Sequence, residues 1–109
     1  MSTMELSAVE QSRKLVTAIP GPVSTELGKR RVAAVSRGVG VTMPVFVARA
    51  AGGIIEDVDG NRFIDLGSGI AVTTIGNSSP RVVDAVREQV ADFTPVSYTH
   101  LTLPTTPYV

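Results

Sequence analysis

Two short patterns in the sequence carry residue types that could hold a ligand, but neither is complete. Residues 67–72 (GSGIAV) begin like the glycine-rich loop that binds a dinucleotide pyrophosphate, yet Val72 stands where glycine or alanine is needed for helix packing. Residues 57–61 (DVDGN) resemble a calcium loop, but Gly60 falls at its fourth position instead of the sixth. Because Asp, Asn and Gly tolerate positive φ, both patterns favour tight turns.

The residues that could act as nucleophiles or bases do not form a catalytic set. No serine has a histidine partner except His100, which lies in an unusual tail. Glu56 and Asp57 are adjacent in a predicted strand, so their carboxylates point to opposite faces. Lys14 and Lys29 lie in a polar arm and in the first helix, without the apolar surroundings that activate an amine. The sequence therefore predicts no complete active site within the chain.

The composition is that of a globular protein, since 43% of the 109 residues are hydrophobic, 18% are charged and the formal net charge is zero. A neutral chain has no basic field to attract nucleic acid or anionic lipid. The absence of cysteine excludes disulfides and thiolate chemistry. Without a signal-peptide core or about 20 consecutive apolar residues, we expect a cytoplasmic protein that has neither nucleic-acid nor membrane partners.

The elements that would position these residues begin with a polar arm and a helix in residues 1–41. A short helix is predicted around residues 9–16 of the arm, before a Pro-Gly-Pro sequence that breaks regular structure. Ser24 is predicted to cap the second helix. On that helix Glu26 and Arg30 have the spacing of an ion pair.

Residues 42–94 predict a β-meander followed by a helix. Strands are expected at residues 45–50, 54–58 and 62–66, joined by Gly-Gly and Asp-Gly-Asn turns. The final helix should begin at Ser79-Pro80, where serine caps and proline occupies the first helical position. Its apolar face is expected to contain Val82, Val86, Val90 and Phe93.

The last residues, 95–109, differ from the rest of the chain because they contain no Asp, Glu, Lys or Arg. Residues 96–105 (VSYTHLTLPT) read as the translation of a transposase-type sequencing adapter, in one frame and without a gap. We therefore predict that residues 95–109 are a non-native tail. This prediction excludes His100 from any catalytic or ligand role.

Several runs resemble the N-terminal segment of the class III aminotransferases, in the order and spacing of that family. These runs are TMPVFVARA at 42–50, IEDVDGNRFIDL at 55–66, GSGIAVTT at 67–74 and SPRVV at 79–83. The resemblance covers residues 10–94, and AIPGP at 18–22 is similar to the actinobacterial members that act on 4-aminobutyrate.

The resemblance implies an α+β fragment, which is the N-terminal segment of the small domain of a fold type I transferase that depends on pyridoxal phosphate. It implies a three-stranded antiparallel meander with flanking helices, in a homodimeric enzyme. The members named above transfer the amino group of 4-aminobutyrate to 2-oxoglutarate, giving succinate semialdehyde and glutamate. Their cofactor lysine and the aspartate that partners the pyridine nitrogen match positions beyond Thr94. The chain itself is therefore expected to be an inactive fragment.

The resemblance also places Ser68, Gly69 and Ile70 beside the substrate, with Ile70 packing against the aliphatic part of an ω-amino acid. The structural alternative is that Ile70 belongs to an ordinary core, since buried isoleucine is common. Class III activities on ornithine or acetylornithine stay open. A self-contained structural or binding module without catalysis is a third hypothesis.

Overall fold

The computed structural model of the protein describes residues 9–94, so the predicted tail lies outside the described residues. A second compact unit begins at Pro80. No helix in the described range is long and apolar enough to cross a membrane. The elements are helix α1 at Pro22–Ala34, strands β1, β2 and β3 at Val47–Ala51, Ile54–Asp57 and Arg62–Ile64, a helical turn α2 at Ser68–Ala71, and helix α3 at Pro80–Asp92.

The predicted three-stranded antiparallel meander is confirmed, with the strands in the order β1-β2-β3. Val47 pairs with Asp57 and Arg49 with Glu56, so Ala48 is an extra residue that forms a bulge in β1. Across this pair, the Arg49 guanidinium lies 2.9 Å from a Glu56 carboxylate oxygen. Each strand starts or ends within two residues of its predicted boundary, which is the usual uncertainty of boundaries read from sequence.

The hairpin turn between β2 and β3 is confirmed, and it is held by a buried network of hydrogen bonds. One carboxylate oxygen of Asp57 accepts the N–H groups of Asp59 and Asn61, at 3.0 and 2.8 Å. The side-chain amide of Asn61 donates to the other oxygen at 3.1 Å. Gly60 takes a φ of 89°, which a residue with a Cβ rarely adopts. Residues 57–61, the pattern that resembled a calcium loop, therefore form a turn. The Asp57 carboxylate accepts its hydrogen bonds from within this turn.

The prediction of a short helix around residues 9–16 is wrong. The arm instead bends at residues 11–12 and lies beside the sheet, where Lys14 and Arg62 exchange backbone hydrogen bonds of 3.1 and 2.7 Å. Farther along the arm, the side-chain oxygen of Asn61 accepts the N–H groups of Val16 and Thr17, at 2.7 and 3.0 Å. An isolated helix of two turns is marginal in water, so the free edge of β3 offers the arm better partners.

The predicted cap of helix α1 is also wrong, because Gly21 and not Ser24 is the capping residue. Gly21 has no side chain that could accept the first N–H groups of the helix. The accepting group comes instead from the turn between β2 and β3. The carboxylate of Asp59 accepts the N–H groups of Val23 and Ser24, at 2.8 and 2.9 Å. A Cβ on Gly21 would lie 2.3 Å from the Asp59 carboxyl carbon, so only glycine fits beside this cap.

Two other side chains of α1 differ from their predicted roles. Ser24 is fully buried, and its hydroxyl oxygen accepts the N–H of Phe46 at 3.2 Å, which fixes the chain that leads into β1. Glu26 pairs with Lys29 at 3.5 Å instead of with Arg30. Both partners of this pair are largely exposed, so it contributes little to stability.

The carboxylate of Asp59 gives the start of α1 a defined pH dependence. Partial burial tends to raise the pKa of Asp59, but the N–H groups of Ser24 and Val23 stabilise the carboxylate and bring the pKa below its ordinary value of 3.8. A lowered pKa in the folded state means that the stabilisation is complete above pH 3.8 and is lost as the pH falls through the lower, folded-state value.

We therefore expect the amides of Val23 and Ser24 to stay protected from hydrogen exchange at neutral pH and to lose protection in acid. The measurement is hydrogen exchange between about pH 5 and pH 2, corrected for intrinsic rates. Asp59→Asn should show weaker protection that no longer depends on pH. Equal acid sensitivity in the variant would contradict the assignment of this effect to Asp59.

The interior of the described chain is mostly polar. Among residues 9–94 the buried apolar side chains are Val9 and Ile54, whereas Ser24, Asp57 and Asn61 are all buried polar residues. Burial of one such apolar side chain contributes about 1.5–3 kcal/mol, while ordering each residue costs about 1–2 kcal/mol. Hydrogen bonds therefore fix the geometry of this segment, and its apolar burial is small for its length.

Candidate functional site

The loop after β3 contains one turn of left-handed helix, the turn α2. The φ angles of Ser68, Gly69, Ile70 and Ala71 are 48°, 60°, 66° and 62°. A left-handed backbone costs about 1–2 kcal/mol for each residue that carries a Cβ, and runs of such residues are rare. The predicted tight turn is present, but three of its four residues pay a conformational cost that glycine would avoid.

Asp65 connects this turn to the rest of the loop. One of its carboxylate oxygens accepts the N–H of Ser68 at 2.7 Å, and the other accepts the side-chain amide of Asn77 at 2.9 Å. The amide of Asn77, followed by the N–H of Ser68, lowers the pKa of Asp65 below its ordinary value, although partial burial opposes the change. The N–H of Asp65 donates to the Gly53 carbonyl at 2.9 Å, so the carboxylate is itself fixed to the meander.

The far end of the loop is tied to the turn between β1 and β2. Gly52 and Asn77 exchange backbone hydrogen bonds of 2.9 and 2.8 Å. Since Asn77 also donates to Asp65, both ends of residues 68–77 are fixed, and the turn α2 occupies the first four of these residues.

The three residues predicted to contact substrate, Ser68, Gly69 and Ile70, all lie in α2 but present different groups. The Ser68 hydroxyl points back and donates to the Asp65 carbonyl at 3.4 Å, and Gly69 is exposed. The Ile70 side chain is 94% exposed, so within residues 9–94 it is not part of a core. In a longer chain another segment can cover this side chain, so the structural alternative for Ile70 also stays a prediction. A substrate contact by these residues stays a prediction.

Ile70 is one of four large apolar residues of this loop that are exposed. The others are Leu66, Val72 and Ile75. Large apolar side chains left exposed in this way are typical of a segment that contacts another molecule or another part of a longer chain.

Asp65 and Asn77 were not predicted as organisers of this loop. The bond from Asp65 to the N–H of Ser68 has a local signal, because aspartate often accepts an N–H a few residues ahead. The bond to Asn77 spans twelve residues and has no signal in the sequence pattern.

The two lysines within residues 9–94 do not fit the role of a cofactor lysine. The Lys29 ammonium pairs with Glu26 on the exposed face of α1, and Lys14 is an exposed arm residue that bonds to Arg62 through its backbone. Neither lies in a closed site with an aspartate that could partner a pyridine nitrogen. That the cofactor lysine lies beyond Thr94 stays a prediction.

Comparisons of sequence agree with the predicted resemblance. Residues 34–107 match the profile of the family described as Aminotransferase class-III, a family that in general depends on pyridoxal phosphate. The 4-aminobutyrate aminotransferase of Mycobacterium leprae is 83% identical over 89 residues, which are 82% of this chain and 20% of that protein. The 4-aminobutyrate aminotransferase of Mycobacterium tuberculosis is 71% identical over 103 residues, which are 94% of this chain and 22% of that protein.

The chain thus spans about a fifth of the length of the curated relatives that it matches. Its fold is similar to part of the ornithine delta-aminotransferase of Plasmodium falciparum, with a TM-score of 0.61 over 70% of this chain and 20% of that chain, at 20% identity. The profile match continues past Thr94, so the non-native origin of the tail stays a prediction. Because the match from residue 34 to residue 107 covers more than half of the sequence, the chain belongs to the class III aminotransferase family.

Proposed function

We propose that the chain is the N-terminal part of a 4-aminobutyrate aminotransferase, which transfers the amino group of 4-aminobutyrate to 2-oxoglutarate. The observation that carries this proposal is the 83% identity to a relative of that name over 89 residues. On this proposal, the segment belongs to the small domain of a fold type I enzyme, which works as a homodimer in the cytoplasm. The parent protein would bind pyridoxal phosphate through residues outside this segment.

Within that enzyme the turn α2 would supply an apolar wall for the substrate. 4-Aminobutyrate has three methylene groups between its charged ends, and burial of each against an apolar side chain contributes about 0.8 kcal/mol. Ile70 offers such a side chain, which is exposed on a short turn. The backbones of Ser68 and Gly69 would then line the approach to it, because the Ser68 hydroxyl already donates to Asp65.

Two unfavourable features of Ile70 support this role. A β-branched residue is costly at a φ of 66°, and an isoleucine side chain that is 94% exposed adds nothing to the stability of the segment. Glycine at this position would relieve the strain without loss of buried area. Strained residues of this kind gather at functional sites, where the backbone presents a particular side chain.

The test uses a full-length chimera, in which residues 10–94 of this chain replace the matched segment of the Mycobacterium leprae relative. We expect Ile70→Ala to lower kcat/KM for 4-aminobutyrate by about 5- to 30-fold, since loss of apolar contact in a substrate site costs about 1–2 kcal/mol. Steady-state kinetics of the purified chimera measures this value.

Val32→Ala is the matched control, because Val32 is also an exposed β-branched residue but lies on α1. It should leave kcat/KM unchanged within about twofold. An unmodified chimera that does not transaminate 4-aminobutyrate, or that prefers ornithine or acetylornithine, would overturn the proposed activity. Equal effects of Ile70→Ala and Val32→Ala would overturn the role of Ile70 alone.

A further inference from the structure

We propose that Asp65 is a positioning residue, which fixes the turn α2 in its left-handed form and thereby sets the length of amino donor that Ile70 accepts. The inference rests on the proposed function, since it assumes that Ile70 contacts the donor. It adds a residue that does not itself touch substrate and that the prediction of Ser68, Gly69 and Ile70 did not contain.

The hydrogen bonds of Asp65 give it control over the position of the turn. Its carboxylate holds the N–H of Ser68, the first residue of α2, at 2.7 Å and the side-chain amide of Asn77 at 2.9 Å. Its own N–H is fixed to the carbonyl of Gly53 at 2.9 Å. The carboxylate therefore joins the start of the turn, the end of the loop and the meander.

The hydrogen bonds inside the turn cannot replace this connection. The N–H groups of Ile70 and Ala71 donate to the Gly67 carbonyl, at 2.8 and 3.1 Å. These bonds join neighbouring residues of the turn and do not attach it to the meander. Within the part of the chain that the structure describes, the side-chain hydrogen bonds that reach α2 from outside it all involve Asp65.

The left-handed backbone makes this connection necessary. Three residues of α2 carry a Cβ at positive φ, and each would relax to the right-handed or extended region if nothing held it. A relaxation at Ser68 would rotate the following residues and move the exposed side chain of Ile70. Since Asp65 accepts the Ser68 N–H with a charged oxygen, the bond is of the stronger class that can oppose such a relaxation.

The experiment compares two donors in the full-length chimera: 4-aminobutyrate, and 5-aminovalerate, which is longer by one methylene. We expect Asp65→Ala to change the ratio of their kcat/KM values by about tenfold, because the Ile70 side chain that limits the length of the donor is no longer held in place. Hydrogen exchange of residues 68–73, followed by mass spectrometry, should show faster exchange in the same variant without reference to activity.

A swapped pair separates positioning from folding. Asp65→Asn alone keeps an oxygen that can accept the Ser68 N–H. Its new NH2 group, however, faces the NH2 group of Asn77, so neither finds an acceptor in the other. Adding Asn77→Asp restores a donor and an acceptor between the two positions, so the donor ratio should return to within about twofold of the unmodified chimera. Asp92→Ala, an exposed aspartate on α3, is the control and should leave the ratio unchanged.

The outcomes distinguish this inference from the proposed function. If Asp65→Ala lowers turnover of both donors equally, with an unchanged ratio and no recovery in the swapped pair, Asp65 is merely structural and the inference is wrong. If Ile70→Ala changes the ratio and the Asp65 variants do not, the proposed function stands and the positioning role of Asp65 is wrong. A chimera that transaminates neither donor would overturn both.

Discussion

Replacement of Asn61 by alanine is expected to loosen Val16 and Thr17, the part of the N-terminal arm that is bonded to the Asn61 side chain. Asn61 is fully buried, and its side chain makes three kinds of contact at once. Its oxygen accepts the N–H groups of Val16 and Thr17, and its amide donates to the Thr17 hydroxyl at 2.8 Å and to Asp57 at 3.1 Å. Alanine has neither the oxygen nor the amide, so all of these hydrogen bonds are lost together.

The expected cost follows from the groups that are left without partners. Loss of the Asn61 amide leaves a carboxylate oxygen of Asp57, itself only 2% exposed, with one donor fewer. An unsatisfied buried polar group costs about 1–3 kcal/mol, and more when it is charged. We expect a local loss of about 2–3 kcal/mol, which is about a 30- to 140-fold loss of exchange protection at the amides of Val16 and Thr17.

Hydrogen exchange of the full-length chimera measures this loss at the two amides. Ser12→Ala is the control in the same arm, since the Ser12 hydroxyl donates to exposed Glu10, and it should change protection by about twofold or less. Asn61→Asp keeps the accepting oxygen but places a second carboxylate beside Asp57, so it should cost at least as much as alanine. Unchanged protection in Asn61→Ala would show that the Asn61 side chain does not hold these two amides.

The parts of this fold that sequence could predict are those specified locally. The three strands alternate in character and are separated by residues that tolerate positive φ, so the meander and its Asp57–Asn61 turn follow from short segments. Helix α3 begins at Pro80, directly after the predicted serine cap. In each case the signal and the structure lie within a few residues of one another.

The contacts that sequence did not predict join distant parts of the chain. Asp59 caps α1 from 36 and 35 residues away, and the local serine that looked like the cap is buried against Phe46. The arm follows the edge of β3 because Arg62 and Asn61 offer it partners there. Asp59 was correctly identified as a turn residue. Its second role, as the cap of α1, depends on the fold bringing that helix beside the turn.

The candidate site shows the same division. The turn at residues 67–72 was predicted, and the three proposed contact residues do lie within it. Its left-handed backbone was not predictable, because Ile70 and Ala71 have no local preference for positive φ. The strained turn is held by backbone bonds to the Gly67 carbonyl and by the bond from the Ser68 N–H to Asp65. Asp65 is held in turn by Asn77, which is remote in sequence.

The exposed face of helix α3 leads to the second large expected effect. Val82, Val86 and Val90 share this face, as their spacing predicted, and Phe93 follows directly after the helix. Each of the four is between 48% and 59% exposed. Together with only two buried apolar side chains among residues 9–94, this face leaves the chain with little apolar burial of its own. A self-contained module would instead bury its largest apolar face.

We therefore expect the purified 109-residue chain to bind a hydrophobic dye several-fold more strongly than the full-length chimera and to associate in solution. Dye fluorescence and light scattering measure the two effects. Val82→Glu with Val86→Lys should reduce both, because it breaks the apolar face and adds a favourable pair at helical spacing. Asp84→Glu with Glu88→Lys adds the same pair on the polar face and should reduce neither. A monomeric chain that unfolds in one sharp transition without binding dye would support the self-contained module instead, since its apolar surface would then need no larger body to cover it.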